Sequence, residues 1–261
     1  MPATGKRHNH SPLGSKAAEP FATSGRPSDT RAARSFKARR GRFTATQRAA
    51  YQELTPALLV PPSVGALDHQ TVFGRVAPLV LDIGFGMGDS TIALAQQLPH
   101  SNILGIDVHV PGLANVALRA IGEGLANVRL VAADAIDVLT HMVPEGGAHL
   151  VQIAFPDPWP KVSQSHRRLV DGAFAELLAR CLEHGGEVRV ATDSRNYADQ
   201  MLRVLTSVTC LCNLSNEGFT PRDCARPITK YEQRALAAGR AVFELRFVRV
   251  QRDGSKTAGS T

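Results

Sequence analysis

From about residue 78 to residue 206 the chain alternates short, almost wholly apolar runs with segments of helical period, and this alternation limits the fold more than any other feature. The apolar runs are LVLDIG (79–84), ILGIDV (103–108), VRLVAAD (128–134), HLVQIAF (149–155) and EVRVAT (187–192). Helices are expected over 89–99, with Asp89 as N-cap, over 111–123 with Pro111 at an early position, and over 135–142. A long amphipathic helix is expected over 166–183, ended by Gly185-Gly186, and a last one over about 195–206. Five βα units in series, with strands apolar on both faces, dictate a mostly parallel α/β sheet covered by helices on both faces. VTCLCNL (208–214) and VFELRFVRV (242–250) are also strand-like and fit an antiparallel C-terminal strand pair closing one edge.

Charge divides the chain differently. Residues 1–50 carry 11 Lys or Arg against 2 acids, whereas residues 51–261 carry 19 against 21, so the net +7 sits on an N-terminal arm. Residues 1–40 are rich in small and polar residues and are expected to be disordered, because they cannot bury enough apolar surface to offset their ordering entropy. The cluster Arg31, Arg34, Lys37, Arg39, Arg40 and Arg42 reads either as a phosphate-binding arm or as a solvated tail. Residues 41–251 form the body, and 252–261 read as a frayed tail. No apolar run approaches a membrane-spanning length and the N-terminus lacks an apolar signal core. Cys181, Cys210, Cys212 and Cys224 have no CxxC spacing, so a reduced cytoplasmic protein without a metal site is expected.

The turn after the first strand reads Asp82-Ile83-Gly84-Phe85-Gly86-Met87-Gly88-Asp89, a GxGxG loop between strand and helix. Glycines there allow positive φ and close approach of a ligand to the backbone. Alone the motif is weak, but Asp107 ends the second strand, where an acid accepts from ribose hydroxyls, and Asp134 ends the third beside the same crevice, within reach of an adenine amino group. All three acids could instead merely cap strands. The dinucleotide fingerprint GxGxxG is not met, and Asp89 at the helix start would repel a pyrophosphate. S-adenosylmethionine has no phosphate and carries a sulfonium and an ammonium, which Asp82 could pair. Charge therefore favours that donor over a nicotinamide cofactor.

After the fourth strand comes Phe155-Pro156-Asp157-Pro158-Trp159-Pro160-Lys161. Alternating prolines stiffen the loop, and its place at a strand's carboxyl end puts Asp157 beside the ligand crevice. A carboxylate can accept from the N1–H and N2–H₂ edge of a guanine, whose N7 already presents a lone pair and needs no general base. The plainer reading is a structural turn with Trp159 in the core. Asp193, ending the fifth strand, faces the same crevice unless it is the N-cap of the next helix. On the residues alone, Lys230 and Glu232 read as a surface ion pair.

Taken together, DIGFGMGDS, GIDVHVPG, FPDPWPK, ATDSRNYADQML and RPITKYEQRALAAG resemble the bacterial tRNA (guanine-N7-)-methyltransferase family over about residues 79–249. FPDPWPK and the TKYEQR block are the specific parts. The resemblance implies a class I methyltransferase Rossmann-like fold, S-adenosyl-L-methionine as methyl donor, and a variable-loop guanine of tRNA as acceptor. It implies donor-binding roles for Asp82, Asp107 and Asp134 with the glycines Gly84, Gly86 and Gly88, and a catalytic or donor-proximal role for Asp157. It further implies tRNA contacts at Lys161 and Asp193 and a substrate motif at Thr229, Lys230, Tyr231 and Glu232. Asp82 and Asp107 stand where the family usually has Glu, Tyr231 replaces a frequent Phe, and residues 162–168 are less basic than is common there. No membrane or obligate protein partner is expected. The rival readings are a nicotinamide-dependent oxidoreductase, disfavoured by the glycine spacing and the lack of a substrate domain, and an RNA-binding protein on a degenerate methyltransferase fold.

Overall fold

The computed structural model describes residues 44–224 and 226–251, so the basic arm and the C-terminal tail lie outside the described residues. Among the described residues two α-helices precede the sheet. Thr44 caps α1 (Ala45–Glu53) in a reciprocal box with Gln47, and Asp68 caps α2 (His69–Phe73). The alternating region then gives β1 (Leu79–Ile83), α3 (Asp89–Gln97), β2 (Asn102–Ile106), α4 (Val110–Gly122), β3 (Val128–Val131), α5 (Ala135–His141) and β4 (Ala148–Ala154). It continues through α6 (Gly172–Cys181), β5 (Leu182–Thr192) and α7 (Arg195–Thr206), and the chain closes with β6 (Leu211–Asn213), α8 (Lys230–Ala237) and β7 (Phe243–Arg249).

The seven strands lie in the order β3-β2-β1-β4-β5-β7-β6. The first five are parallel, and β7 is antiparallel to both β5 and β6. The expected antiparallel C-terminal pair is present, with β7 inserted between β6 and the parallel strands. Strand order reverses between β1 and β4, and a crevice opens at the carboxyl ends of strands at such a point.

Alternation along the strands sends side chains into two separate cores. Leu79, Leu81, Ile83, Leu104, Ile106, Val151 and Ile153 pack with Val138 and Leu139 of α5, Phe174 and Leu178 of α6, and Tyr197 and Met201 of α7. Val80, Ile103, Leu130 and Leu150 pack on the other face with Ile92 of α3 and Leu113, Val116 and Ala117 of α4. Each large apolar side chain withdrawn from water contributes about 1.5–3 kcal/mol, which fixes the sheet as a rigid platform. Among the described residues no helix is long and apolar enough to cross a membrane.

Three local expectations are corrected. The helix expected over 166–183 begins only at Gly172, because the Asp171 side chain accepts from the Phe174 amide at 2.9 Å and caps it there. Residues 162–167 form a 3₁₀ turn instead, and Val170 donates its amide to the Tyr197 hydroxyl at 2.9 Å. Gly185-Gly186 does not end the helix, which stops at Cys181. The pair lies inside β5, where the register with β4 shifts between Ala148 and Leu150; Gly185 has φ +80° and a Cβ on Gly186 would stand 2.9 Å from the Glu183 carbonyl. Finally, Gly88 rather than Asp89 is the N-cap of α3, in left-handed conformation at φ 86°.

Candidate active site

The glycine loop, the strand ends and α8 enclose one large cavity of about 760 Å³, the size of a small-molecule site. Gly84 and Gly86 line its floor, with φ of 69° and 59°. Gly88 does not; its absent side chain is a packing requirement, since a Cβ there would lie 2.0 Å from Val116 Cγ2. Gly112 meets a similar demand, because a Cβ would fall 1.8 Å from the Gly86 carbonyl oxygen. The start of α4 thus presses directly on the loop.

Asp107 stands at the cavity wall with both oxygens oriented by backbone. Oδ2 accepts from the Gly86 amide at 2.7 Å and Oδ1 from the His109 amide at 2.8 Å. Burial pushes its carboxyl above the ordinary carboxylate value against these two hydrogen bonds. Asp134 also lines the cavity, but lies beyond β3 and caps α5, accepting from the Ile136 amide at 2.9 Å. Asp89 lines the mouth and pairs with Arg119 at 2.9 Å, so part of the charge expected to repel pyrophosphate is neutralised within the protein.

Asp82 stands apart from these acids. It is fully buried, absent from the cavity wall, and points to the α3 face of the sheet. Ser90 and Thr91 both donate to its Oδ2 at 2.7 Å, and Gln152, its register partner on β4, lies alongside. Burial pushes its carboxyl up to about 6, against the hydrogen bonds that favour the ion. The cause is strand parity: Asp82 shares a face with Val80, so it is directed at the first turn of α3 rather than out of the strand's end.

The stiff loop after β4 lies where expected. Phe155, Pro156 and Asp157 line the cavity opposite the glycine turn. Phe155 and Trp159 have φ of 53° and 40°, a conformation that bulky residues seldom hold without external support. The support is Arg168, buried beneath the loop. Its Nε donates to the Pro158 carbonyl at 2.9 Å, while Nη1 and Nη2 donate to Gln200 Oε1 at 2.7 Å and Asn196 Oδ1 at 2.8 Å on α7. Its guanidinium also lies 4.9 Å over the Tyr197 ring. Trp159 is half-buried rather than core, with Arg167 4.2 Å over its ring. Lys161 is exposed and off the cavity.

From the other side the N-terminus of α8 closes the cavity. Thr229 caps it, accepting from the Glu232 amide at 3.2 Å, and Thr229, Lys230, Tyr231 and Arg234 line the wall. Tyr231 lies across the glycine loop; its Cε2 is 3.9 Å from where a Cβ of Gly86 would be. Glu232 stands apart in the same way. It is fully buried, points away from the cavity and pairs with Arg226 and Arg222 rather than Lys230. Helical geometry requires this, since residues 231 and 232 differ by about 100° around the axis. Asp193 pairs with Arg240 at 2.9 Å and stays outside the cavity wall; Ser194, not Asp193, is the N-cap of α7. His109, Arg234 and Arg168 went unnoticed in the sequence. His109 adjoins Asp107 and Arg234 lies one helical turn beyond Lys230, so for these two a positional signal existed.

A floor of backbone and small residues, four cavity carboxylates (Asp89, Asp107, Asp134, Asp157) and few cations suit a cationic, hydroxyl-bearing ligand that carries no phosphate. Among the described residues no group of three or more His, Cys, Asp or Glu is placed to hold a metal ion.

Residues 76–245 match a family model described as putative methyltransferase. The tRNA (guanine-N(7)-)-methyltransferase of Cronobacter sakazakii (strain ATCC BAA-894) is 43% identical to this chain over 232 residues, 88% of this chain and 96% of that protein. The enzyme of the same name from Escherichia coli (strain K12) matches with the same identity and coverage. Among solved structures, the 16S rRNA methyltransferase KamB is similar in fold, with a TM-score of 0.50 at 16% identity, covering 74% of this chain and 97% of that one.

Proposed function

Since the chain belongs to the tRNA (guanine-N(7)-)-methyltransferase family, we propose that its cavity holds S-adenosylmethionine on the glycine loop and presents Asp157 to a guanine of the tRNA variable loop, whose N7 receives the methyl group. The donor supplies an electrophilic methyl carbon on a sulfonium. Asp107, with both oxygens aimed by backbone amides, accepts from the ribose hydroxyls, and Asp134 at the start of α5 accepts from the adenine amino group. The residues fit the donor: Gly84 and Gly86 leave its approach to the backbone free, and the acidic wall matches its positive charges.

Asp157 accepts from the N1–H and N2–H₂ edge of the guanine. That holds the ring in register and favours the positive charge that develops on the base as N7 is methylated. No proton leaves N7, so the chain need only align acceptor and donor and exclude water. Lys230 and Arg234 at the rim supply positive charge toward the phosphates flanking the target base, and Tyr231 offers a ring at the mouth. Lys161, exposed on the loop, is a phosphate contact outside the cavity; Asp193, held by Arg240, flanks the same edge.

The observation that carries this reading is the placement of Asp157 on the cavity wall by a strained loop that Arg168 fixes from below. The test is methyl transfer from labelled donor to an unmodified tRNA transcript, followed by mapping of the label. Label is expected on one variable-loop guanine and absent when 7-deazaguanosine occupies that position. Asp157→Asn is expected to lower kcat on the order of 100-fold with donor affinity unchanged. Label elsewhere, or full turnover by that variant, rejects the assignment.

A further inference from the structure

Glu232 of α8 and Glu244 of β7 are two carboxylates withdrawn from solvent, and the buried guanidinium of Arg226 lies between them. Arg226 Nη1 donates to Glu232 Oε2 at 2.7 Å and Nη2 to Glu232 Oε1 at 3.0 Å. Nη2 and Nε reach Glu244 Oε1 at 2.6 and 3.1 Å. Arg222 Nε adds a bond to Glu232 Oε1 at 2.7 Å, and the Asp223 amide one to Glu244 Oε2 at 2.8 Å. Two guanidiniums thus balance two carboxylates, and every carboxylate oxygen is engaged. Burial pushes the Glu232 carboxyl up, but the bonds from Arg226 and Arg222 outweigh it and hold the group ionised. The Arg226 guanidinium also lies 5.5 Å from the centre of the Phe155 ring, at the root of the Asp157 loop.

The helix this network holds has little else to hold it. Glu232 and Ala235 are the buried residues of α8, so its attachment rests on the ion pairs of Glu232 with Arg226 and Arg222 and on one methyl group rather than on an apolar face. Yet its first turn carries Lys230 and Tyr231 on the cavity wall, with the cap Thr229 beside them. We propose that Arg226 is a positioning residue for methyl transfer, joining the acceptor-facing end of α8 to β7 and to the base of the Asp157 loop, and that Glu232 acts through Arg226 rather than by touching tRNA. The proposal rests on the reading of the cavity as a tRNA methylation site. A planar bidentate fork suits this role because it fixes distance and angle together, which an ammonium on a flexible stem does not.

The test is a double-mutant cycle in the full-length protein with unmodified tRNA transcript and S-adenosylmethionine, using Arg226→Lys, Glu232→Gln and their combination. Each single change is expected to raise KM for tRNA on the order of 10-fold and to lower kcat, with donor Kd by calorimetry changed less than about 2-fold. The combined variant is expected to be no worse than the poorer single one, because both changes break one connection. Multiplying losses would mean that Glu232 and Arg226 act independently, and wild-type KM and kcat in either single variant would mean that the network is only structural; both overturn the proposal. Should Glu232→Gln fail to fold, Glu232→Asp, which keeps the charge and shortens the reach, takes its place in the same cycle. Failure of the wild-type protein to methylate the transcript would instead overturn the functional reading beneath.

Discussion

Asp82→Asn separates the position of this carboxylate from the role its motif suggests. In the native protein the group is pushed up to about 6, against an ordinary 3.8. Between these values the folded chain keeps a proton that the unfolded chain has released, so stability falls as pH rises through this window and is flat beyond it. Two units correspond to about 3 kcal/mol. Asparagine keeps an oxygen to accept from Ser90 and Thr91 and has no charge to desolvate, so its stability should lack this component. Urea unfolding of both proteins from pH 3.5 to 7.5, with variant minus wild type taken at each pH, cancels carboxylates common to both. The difference should move in favour of the variant by about 2–3 kcal/mol between pH 4 and pH 7, with equal m-values. A difference independent of pH would refute the argument. Because Asp82 is absent from the cavity wall, S-adenosylmethionine should bind the variant with near wild-type affinity. A loss beyond about 10-fold would restore the ammonium contact that the sequence suggested.

Three further outcomes follow from the site. Asp107→Asn places an amide against one of two backbone N–H donors and should weaken donor binding on the order of 10- to 100-fold by calorimetry, with tRNA affinity retained. Gly112→Ala drives a methyl into the Gly86 carbonyl and should destabilise the protein by about 2 kcal/mol or more in a thermal or urea melt, with donor binding lost alongside. Arg168→Gln frees the Pro158 carbonyl from its guanidinium donor and should lower kcat on the order of 10-fold in single-turnover methylation, with donor Kd unchanged.

The parallel sheet was legible because its strands are buried on both faces and read as unbroken apolar runs between glycines and prolines. The glycine loop, Asp107 and the Asp157 loop were legible for a related reason. Residues at the carboxyl end of a parallel strand are carried to one crevice whatever the intervening helices do. What could not be read was local competition. The boundary of α6 turns on whether Asp171 caps it or an earlier residue starts it, and a 3₁₀ turn at 162–167 satisfies the same polar pattern. Gly185-Gly186 looks like a helix stop and serves a strand irregularity, because both need the same backbone freedom.

Asp82 and Glu232, two motif acids that stand off the cavity wall, do so for one reason. Each stands beside residues that do line the cavity, and a motif read as a string assigns its neighbours a common role. Secondary structure divides that string: successive residues of β1 face opposite cores, and successive residues of α8 are about 100° apart. Asp82 is therefore turned to the hydroxyls of Ser90 and Thr91, and Glu232 to the guanidiniums of Arg222 and Arg226. Both are still consequential for the site. One fixes the start of α3 directly after the glycine loop, and the other fixes α8 over it, so the cavity is shaped by buried carboxylates that do not line it. An acid within a binding motif can thus shape the site without touching the ligand, and measuring affinity and pH-dependent stability on the same variant separates the two cases.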